Sequence, residues 1–241
     1  MKKTFLLAFA TVLFLYQSCD LIPFETVHGN GTMGTETRNV GDASRIESRG
    51  FFDVDIVKGS SSSVKIDADQ NLMQYILTKN EDGKLVIRTK EGVELKSDNK
   101  IKVTVTTPQL EEVEVDGSGN VISNDSFESP DHFKVSIAGS GNITLTVSTP
   151  KVEASIAGSG DINLSGETKD SRIDIAGNGN FKTENLKAEN VEVHIAGSGD
   201  ARVFASLNLD IHIAGSGNVY YKGTPAIKQS VAGSGNIQQI P

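Results

Sequence analysis

Apolar and polar residues alternate in short runs along most of the chain, a pattern that predicts β-strands with one buried face. In the first half the clearest runs are Phe52–Ile56, Val64–Ile66, Leu85–Ile87 and Ile101–Val105. The segment Asn71–Leu77 instead has apolar residues at a helical spacing, which predicts one or two helical turns. No long amphipathic helix is indicated, so the pattern predicts an all-β chain.

The second half of the chain repeats one phrase seven times, Ala-Gly-Ser-Gly followed by Asn or Asp, with small variations. The first glycines of the seven copies are spaced by 22, 19, 19, 20, 18 and 18 residues. A nearly constant period in this range is typical of a solenoid in which each repeat forms one coil. The first glycines are Gly117, Gly139, Gly158, Gly177, Gly197, Gly215 and Gly233.

Aligning the copies on this glycine reveals columns of equivalent residues. The positions two before and four after the glycine are apolar in every copy, and the position four before it is apolar in six. Residues two apart on a strand share a face, so these columns should point inward and stack along the axis. The sequence therefore predicts a parallel β-helix of about seven coils. The column two before the glycine consists of Val115, Ile137, Ile156, Ile175, Ile195, Ile213 and Val231.

Two outward columns carry the charged and titratable residues. Five before the glycine, acidic and basic residues largely alternate from coil to coil, which favours in-register stacking. Three before the glycine, Asp174, His194 and His212 occupy successive coils and are candidates for a metal site or a pH-sensitive patch. A solvated polar ladder is the preferred interpretation, because a flat strand lacks the enclosure of most metal sites.

The chain divides into four segments. Residues 1–18 resemble a lipoprotein-type signal peptide, with Lys2 and Lys3 ahead of an apolar run. Residues 19–40 are predicted to be a flexible tether, residues 41–112 an N-terminal β block and residues 113–241 the repeat coils. Since no Pro/Ser-rich linker separates the last two segments, we expect them to share one core.

Cys19 is the single cysteine, and it follows the apolar run directly, in a segment that resembles a bacterial lipobox. This position predicts lipidation and a membrane anchor at Cys19. An ordinary signal peptide with a coincidental cysteine is the alternative.

Composition excludes several function classes. The net charge is −8 and no basic stripe is present, which argues against a nucleic-acid partner. Only Asp161 and Asp200 are acidic at the last position of the repeated phrase, whereas calcium prefers several charged oxygens. No nucleophile–base motif is present, so the chain is predicted to be non-catalytic and to need no cofactor or metal.

The leader, the block segment Gly50–Gly59, the repeated Ala-Gly-Ser-Gly-Asn-Ile and the ending from Gly223 to Ile237 together resemble the GIN domain, an autotransporter-adhesin head domain. The resemblance covers about residues 40 to 240. It implies an all-β domain with parallel β-helical coils on exported, often lipid-anchored proteins of Bacteroidota-type bacteria. It brings no catalytic residues.

These features predict a lipid-anchored binding protein of the cell envelope, at the outer membrane or the cell surface, that acts as an adhesin for a glycan or a protein. Tyr220 and Tyr221 are the candidate ligand contacts, since aromatic residues are otherwise few. A polysaccharide-acting enzyme and a structural or signalling envelope protein remain the alternatives. We also expect the open edge of the last coil to be covered by the terminal segment or by a second copy of the chain.

Overall fold

The computed structural model describes residues 25–241, and almost all of its regular structure is β-strand. Within these residues the one helical element is a 3-10 turn at Met73–Tyr75, in the segment where the sequence predicts helical turns. The strands are β1 Glu25–His28, β2 Met33–Asn39, β3 Arg45–Gly50, β4 Asp53–Lys58, β5 Ser63–Asp69, β6 Ile76–Glu81, β7 Lys84–Thr89, β8 Val93–Lys96, β9 Lys102–Thr107, β10 Glu112–Gly117, β11 Asn120–Glu128, β12 Phe133–Gly139, β13 Asn142–Gly158, β14 Asp161–Gly177, β15 Asn180–Gly197, β16 Ala201–Gly215, β17 Val219–Lys222, β18 Ala226–Gly233 and β19 Ile237–Gln239.

The repeats form a parallel β-solenoid, as predicted. Each long strand runs from one glycine corner to the next, and neighbouring strands pair in parallel with equivalent residues opposite one another. Gly158, for example, lies opposite Gly177, which in turn lies opposite Gly197. The apolar columns point inward and are almost completely buried in all but the last coil. Equivalent residues therefore stack along the axis, about 4.8 Å apart as in other sheets.

The two glycines of each corner are required for different reasons. The first, such as Gly158, has a φ of 140°, which side-chain-bearing residues rarely adopt. The second, such as Gly160, has no such φ, but a Cβ there would lie 2.1 Å from the carbonyl oxygen of Gly141 in the preceding coil. At the second position it is the close approach of stacked backbones that excludes a side chain.

The Asn or Asp that ends each phrase forms a hydrogen-bonded ladder along the axis. Asn142 Nδ2 donates to Asn120 Oδ1 at 2.9 Å, and Asn180 Nδ2 donates to Asp161 Oδ1 at 2.9 Å. At other steps a backbone N–H donates to the side chain of the preceding coil, as Asp200 N does to Asn180 Oδ1 at 3.1 Å. These bonds satisfy polar groups at the corners and connect successive coils.

The N-terminal block adds two parallel layers to the same stack. Strands β3 and β4 pair in parallel with β10 and β11 of the first repeat, and on their other side they pair with β7 and β9. Beyond these layers, β5 pairs antiparallel with β9 and β2, and β6 pairs antiparallel with β7. Buried apolar residues of the block and of the repeats form one continuous core. The predicted shared core is therefore confirmed, and antiparallel strands close its first end.

The prediction of a flexible tether at residues 19–40 is wrong for residues 25–39. Strand β1 pairs with β8, and β2 pairs with β5 over its full length. The Arg38 side chain donates to the backbone carbonyls of Met73 at 3.0 Å and Ile76. Few apolar residues take part in this docking, which explains why the hydrophobic pattern gave no signal. The predicted signal peptide and Cys19 lie outside the described residues.

The opposite end of the solenoid is built differently. Within residues 25–241, β18 pairs with β16 alone, and the terminal strand β19 runs beside β17 instead of crossing the open end. Inward positions that are Ile211 and Tyr221 in the preceding coil become Gln229 and Gln239 here, and both glutamines are exposed. Polar residues thus terminate the core, as in the capping repeats of other solenoids. Covering by a second copy stays a prediction.

Candidate functional site

Asp174, His194 and His212 lie in register on β14, β15 and β16, as the repeat alignment predicts. The two imidazole rings meet edge to face with centroids 5.0 Å apart. Asp174 Oδ1 lies 3.6 Å from His194 Nδ1. The strands thus place two histidines and a carboxylate side by side on the outer surface.

Charged neighbours from the adjacent outward column already bind these groups. Arg172 donates to both carboxylate oxygens of Asp174, at 2.9 and 3.2 Å, and to Glu192 at 3.0 Å. The pKa of Arg172 is raised, chiefly by its hydrogen bond to Asp174. His194 Nε2 lies 2.8 Å from Glu192 Oε1. Because each carboxylate has a partner, the arrangement resembles an ion-pair ladder more than a vacant ligand set.

His212 has a similar surrounding, with its Nε2 atom 3.1 Å from Asp210 Oδ1. The hydrogen bond from Lys228 lowers the pKa of Asp210, and it outweighs the opposing effect of burial. Among residues 25–241, no group of three or more His, Cys, Asp or Glu residues is arranged to hold a metal ion. Both histidines instead contact carboxylates of the neighbouring outward column.

These side chains form one rim of an open groove of about 600 Å³ that runs along the solenoid axis. Its floor is the column of alanines directly before the glycine corners, and we call it the alanine groove. The floor residues are Ala157, Ala176, Ala196, Ala214 and Ala232, and the rim residues are Ser155, Asp174, His194, His212 and Ser230. The alanine side chains are shorter than those of the rim column, which creates the depression, and the repeated alanine is the sequence signal for it.

The strand segments before each glycine corner form one wall of the solenoid, which holds the alanine groove, and the segments after the corner form a second wall. The second wall carries the two candidate tyrosines. Tyr220 points outward, and its ring stacks under the Arg202 guanidinium, with Cζ 5.1 Å from the ring centroid. Tyr221 occupies an inward position and packs against the core. The outward Tyr220 is therefore the better placed of the two for contact with a ligand, and the role of both tyrosines stays a prediction.

Among residues 25–241 no helix has the length and apolar character needed to cross a bilayer.

The chain is similar to a known protein family and to several solved structures. A family model described as "Putative auto-transporter adhesin, head GIN domain" matches residues 43–225. A search of curated proteins finds no match.

Several solved structures share the architecture. A "putative adhesin" from Bacteroides fragilis has a TM-score of 0.82 at 24% identity, covering 89% of this chain and 100% of its own. A "putative adhesin" from Parabacteroides merdae has a TM-score of 0.70 at 27% identity, with 90% and 99% covered. A "putative lipid binding protein" from Parabacteroides distasonis has a TM-score of 0.75 at 27% identity, with 90% and 100% covered. With its family model spanning most of the sequence, this chain belongs to the GIN-domain family of adhesin-like heads.

Proposed function

We propose that this protein is a non-catalytic, lipid-anchored adhesin of the bacterial cell envelope that binds an extended glycan along the alanine groove. The observation that carries the proposal is the groove itself, a continuous depression across five successive coils. Its floor is apolar, whereas its rim offers hydroxyl, imidazole and carboxylate groups at each step of the stack. A linear polymer can meet such a regular wall at several equivalent points.

The chemistry of the groove fits sugars. The apolar face of a sugar ring can lie against the methyl groups of the alanines, while its hydroxyls hydrogen-bond to Ser155, Ser230 and the histidines. Sites for small ligands commonly combine an apolar surface with a few placed polar groups. The relative described as lipid binding makes an acyl chain the competing ligand, but an open groove would leave much of such a chain in water.

Adhesion is favoured over polysaccharide cleavage by the contacts of the carboxylates. A glycosidase needs a pair of carboxyl groups that face the scissile bond from its two sides. Here Asp174 and Glu192 lie on adjacent strands of one wall, and both accept hydrogen bonds from Arg172 instead of facing each other across a cleft. The adhesin descriptions of the family and of its structural relatives point the same way.

The test is a glycan array probed with the full-length chain carrying Cys19→Ser, which removes the proposed acylation site. Ala196→Trp fills the groove floor, and Leu207→Trp is the matched control, because Leu207 is 54% exposed on the neighbouring strand β16 and does not line the groove. We expect glycan binding that Ala196→Trp abolishes and Leu207→Trp preserves. Equal binding by the two variants, release of shortened products, or preferential binding to phospholipid vesicles would each overturn the proposal.

Membrane attachment through Cys19 is the second part of the proposal and has its own test. Cells expressing the natural chain should incorporate a labelled fatty acid into it and retain it in the membrane fraction. Cys19→Ser should abolish labelling and release the protein. Retention of the label in Cys19→Ser would contradict the anchor, whereas it would leave the groove unaffected.

A further inference from the structure

The second wall of the solenoid carries a compact group of cations and aromatic rings on a chain whose net charge is −8. Parallel pairing places Lys182, Arg202 and Tyr220 in one outward column, and Lys187, Phe204 and Lys222 in register beside it. We call these residues the basic patch. They come from three successive coils, so the patch exists only in the folded solenoid.

Two of the four cations already have acidic partners. Lys182 Nζ lies 2.8 Å from Asp161 Oδ2, and Lys187 Nζ lies 3.6 Å from Glu167 Oε1. Arg202 and Lys222 have no carboxylate within 4.0 Å among residues 25–241, although most exposed cations of the repeats do. These two residues leave uncompensated positive charge at the centre and at one side of the patch.

The contacts of Arg202 favour binding of a ligand to its guanidinium group. The cation lies over the Tyr220 ring, and this contact restricts the side chain without using its hydrogen-bond donors. A planar guanidinium presents paired N–H groups that match a carboxylate. Phe204 is half-buried beside Arg202 on the same strand, and it adds apolar surface next to the charge.

We propose that the basic patch binds the carboxylate groups of an acidic glycan, with Arg202 as the bidentate contact, Lys222 as a second charge and Tyr220 as the surface for the sugar ring. This is a site separate from the alanine groove, on the other side of the glycine corner. Single-stranded nucleic acid is the other polymer that combines negative charge with flat rings. Asp161 and Asp200 stand in the outward column alongside, and they would repel its denser row of phosphates.

The experiment measures binding of oligogalacturonate to the full-length Cys19→Ser chain, with a neutral malto-oligosaccharide and a thymidine 20-mer as comparison ligands. Arg202→Ala should weaken oligogalacturonate binding by about tenfold or more, because a charge-assisted bidentate contact is lost. Arg202→Lys should recover part of the affinity, and Lys222→Ala should weaken binding by a smaller factor. Lys79→Ala is the charge-matched control, since Lys79 is exposed on β6 of the N-terminal block. Thermal unfolding of each variant confirms that it is folded.

The expected pattern is binding that falls with salt, prefers oligogalacturonate over both comparison ligands, and survives Lys79→Ala and Ala196→Trp. Survival in Ala196→Trp separates this site from the alanine groove, so either proposal can fail alone. The absence of oligogalacturonate binding, equal binding by Arg202→Ala and Lys79→Ala, or tighter binding of the thymidine 20-mer would overturn the proposal.

Discussion

The same glycine corner occurs in the N-terminal block and in the repeat body, but the two settings constrain it differently. Gly50 and Gly177 have similar backbone angles, with φ of 122° and 131°. A Cβ on Gly177 would lie 2.3 Å from the backbone carbonyl oxygen of Gly158, whereas one on Gly50 would meet only the Phe52 ring at 3.5 Å. The layer beneath Gly50 has a loop instead of a corner, so no stacked backbone approaches it. Stacking, more than turn geometry alone, makes glycine obligatory in the body.

The cores of the two regions also differ in polarity. Ser48 in the block occupies the inward column that holds Ile87 in one neighbouring layer and Val115 in the other. It is fully buried, and its hydroxyl has no hydrogen-bond partner. The repeat body has β-branched apolar residues throughout this column. In this column the block therefore contains a buried hydroxyl without a hydrogen-bond partner, whereas the repeats have an apolar side chain.

The largest effect is expected at the corners. Gly177→Ala should destabilise the protein by about 3 kcal/mol or more, because backbone strain is combined with a clash against Gly158 that cannot relax without separating two coils. Gly50→Ala should cost only about 1 kcal/mol, the cost of its conformation. Chemical denaturation of both variants measures the difference. Equal losses would show that stacking adds nothing to the requirement for glycine.

The next effect tests the polar defect in the block. Ser48→Val should raise the free energy of unfolding by about 1 kcal/mol, because it removes an unsatisfied buried hydroxyl and restores the apolar column. Ser48→Ala, which removes the hydroxyl without adding volume, is the control and should also be stabilising. A loss of stability in both variants would mean that the hydroxyl has a favourable role in the core.

A similar or smaller change in stability is expected on substitution in the Asn/Asp ladder of the repeat body. Burial tends to raise the pKa of Asp161, but hydrogen bonds from Lys182 and Asn180 outweigh it, and the pKa is lowered overall. The stability that this carboxylate contributes is therefore present above the ordinary aspartate pKa of about 3.9 and is lost as the pH falls through the lower folded value. Asp161→Ala should cost about 1 kcal/mol at pH 7 through the lost ladder bonds.

Asp161→Asn is the informative control for the ladder. Asparagine stands at this position in most copies and preserves the acceptor for Asn180, so stability at pH 7 should change little. Its stability should fall less between pH 5 and pH 3 than that of the natural chain. Denaturant midpoints at several pH values provide the comparison, and an unchanged pH dependence would remove Asp161 as a source of acid sensitivity.

The smallest effect on stability is expected at the open end. Gln229→Ile restores an apolar residue to the last coil, next to the exposed Ile227 and Val231. The monomer should change little in stability, but self-association measured by sedimentation should increase, because β18 offers an unpaired edge. Gln238→Ile, on an outward position, is the control. If Gln229→Ile self-associates no more than this control does, the glutamines are not needed to protect the end.

The body could be predicted almost completely from the sequence, because every coil repeats the same physical requirement. Seven aligned glycines and three inward columns fix the direction, register and spacing of the strands together. The ladder of Asn142, Asp161 and Asn180 follows from the same alignment. The block has no such repetition, so alternation revealed its strands but not their neighbours. Nothing in Phe52–Ile56 indicates that β3 and β4 lie between β7/β9 and the first repeat.

The candidate sites were predictable only in part. The alignment brought Asp174, His194 and His212 together, but it gave no indication that Arg172 binds the carboxylate. In the basic patch, the alignment places Lys182, Arg202 and Tyr220 in one column, but it does not place Lys187, which reaches the patch through an irregularity in the pairing between Thr183 and Lys187. The net charge of the whole chain also gave no indication of the basic patch, because it does not show where cations are concentrated. Tyr220 and Tyr221 adjoin in sequence but point to opposite faces of a strand.

Cross-linking across adjacent coils tests the in-register stack most directly. On the Cys19→Ser background, Ala176→Cys with Ala196→Cys places two thiols on paired positions about 4.8 Å apart, within disulfide range. Ala176→Cys with Ala214→Cys spans two layers, about 9.6 Å, and exceeds that range. Rapid disulfide formation in the first pair and none in the second is expected under mild oxidation. Equal rates, or faster formation in the second pair, would contradict the stacked register on which both walls depend.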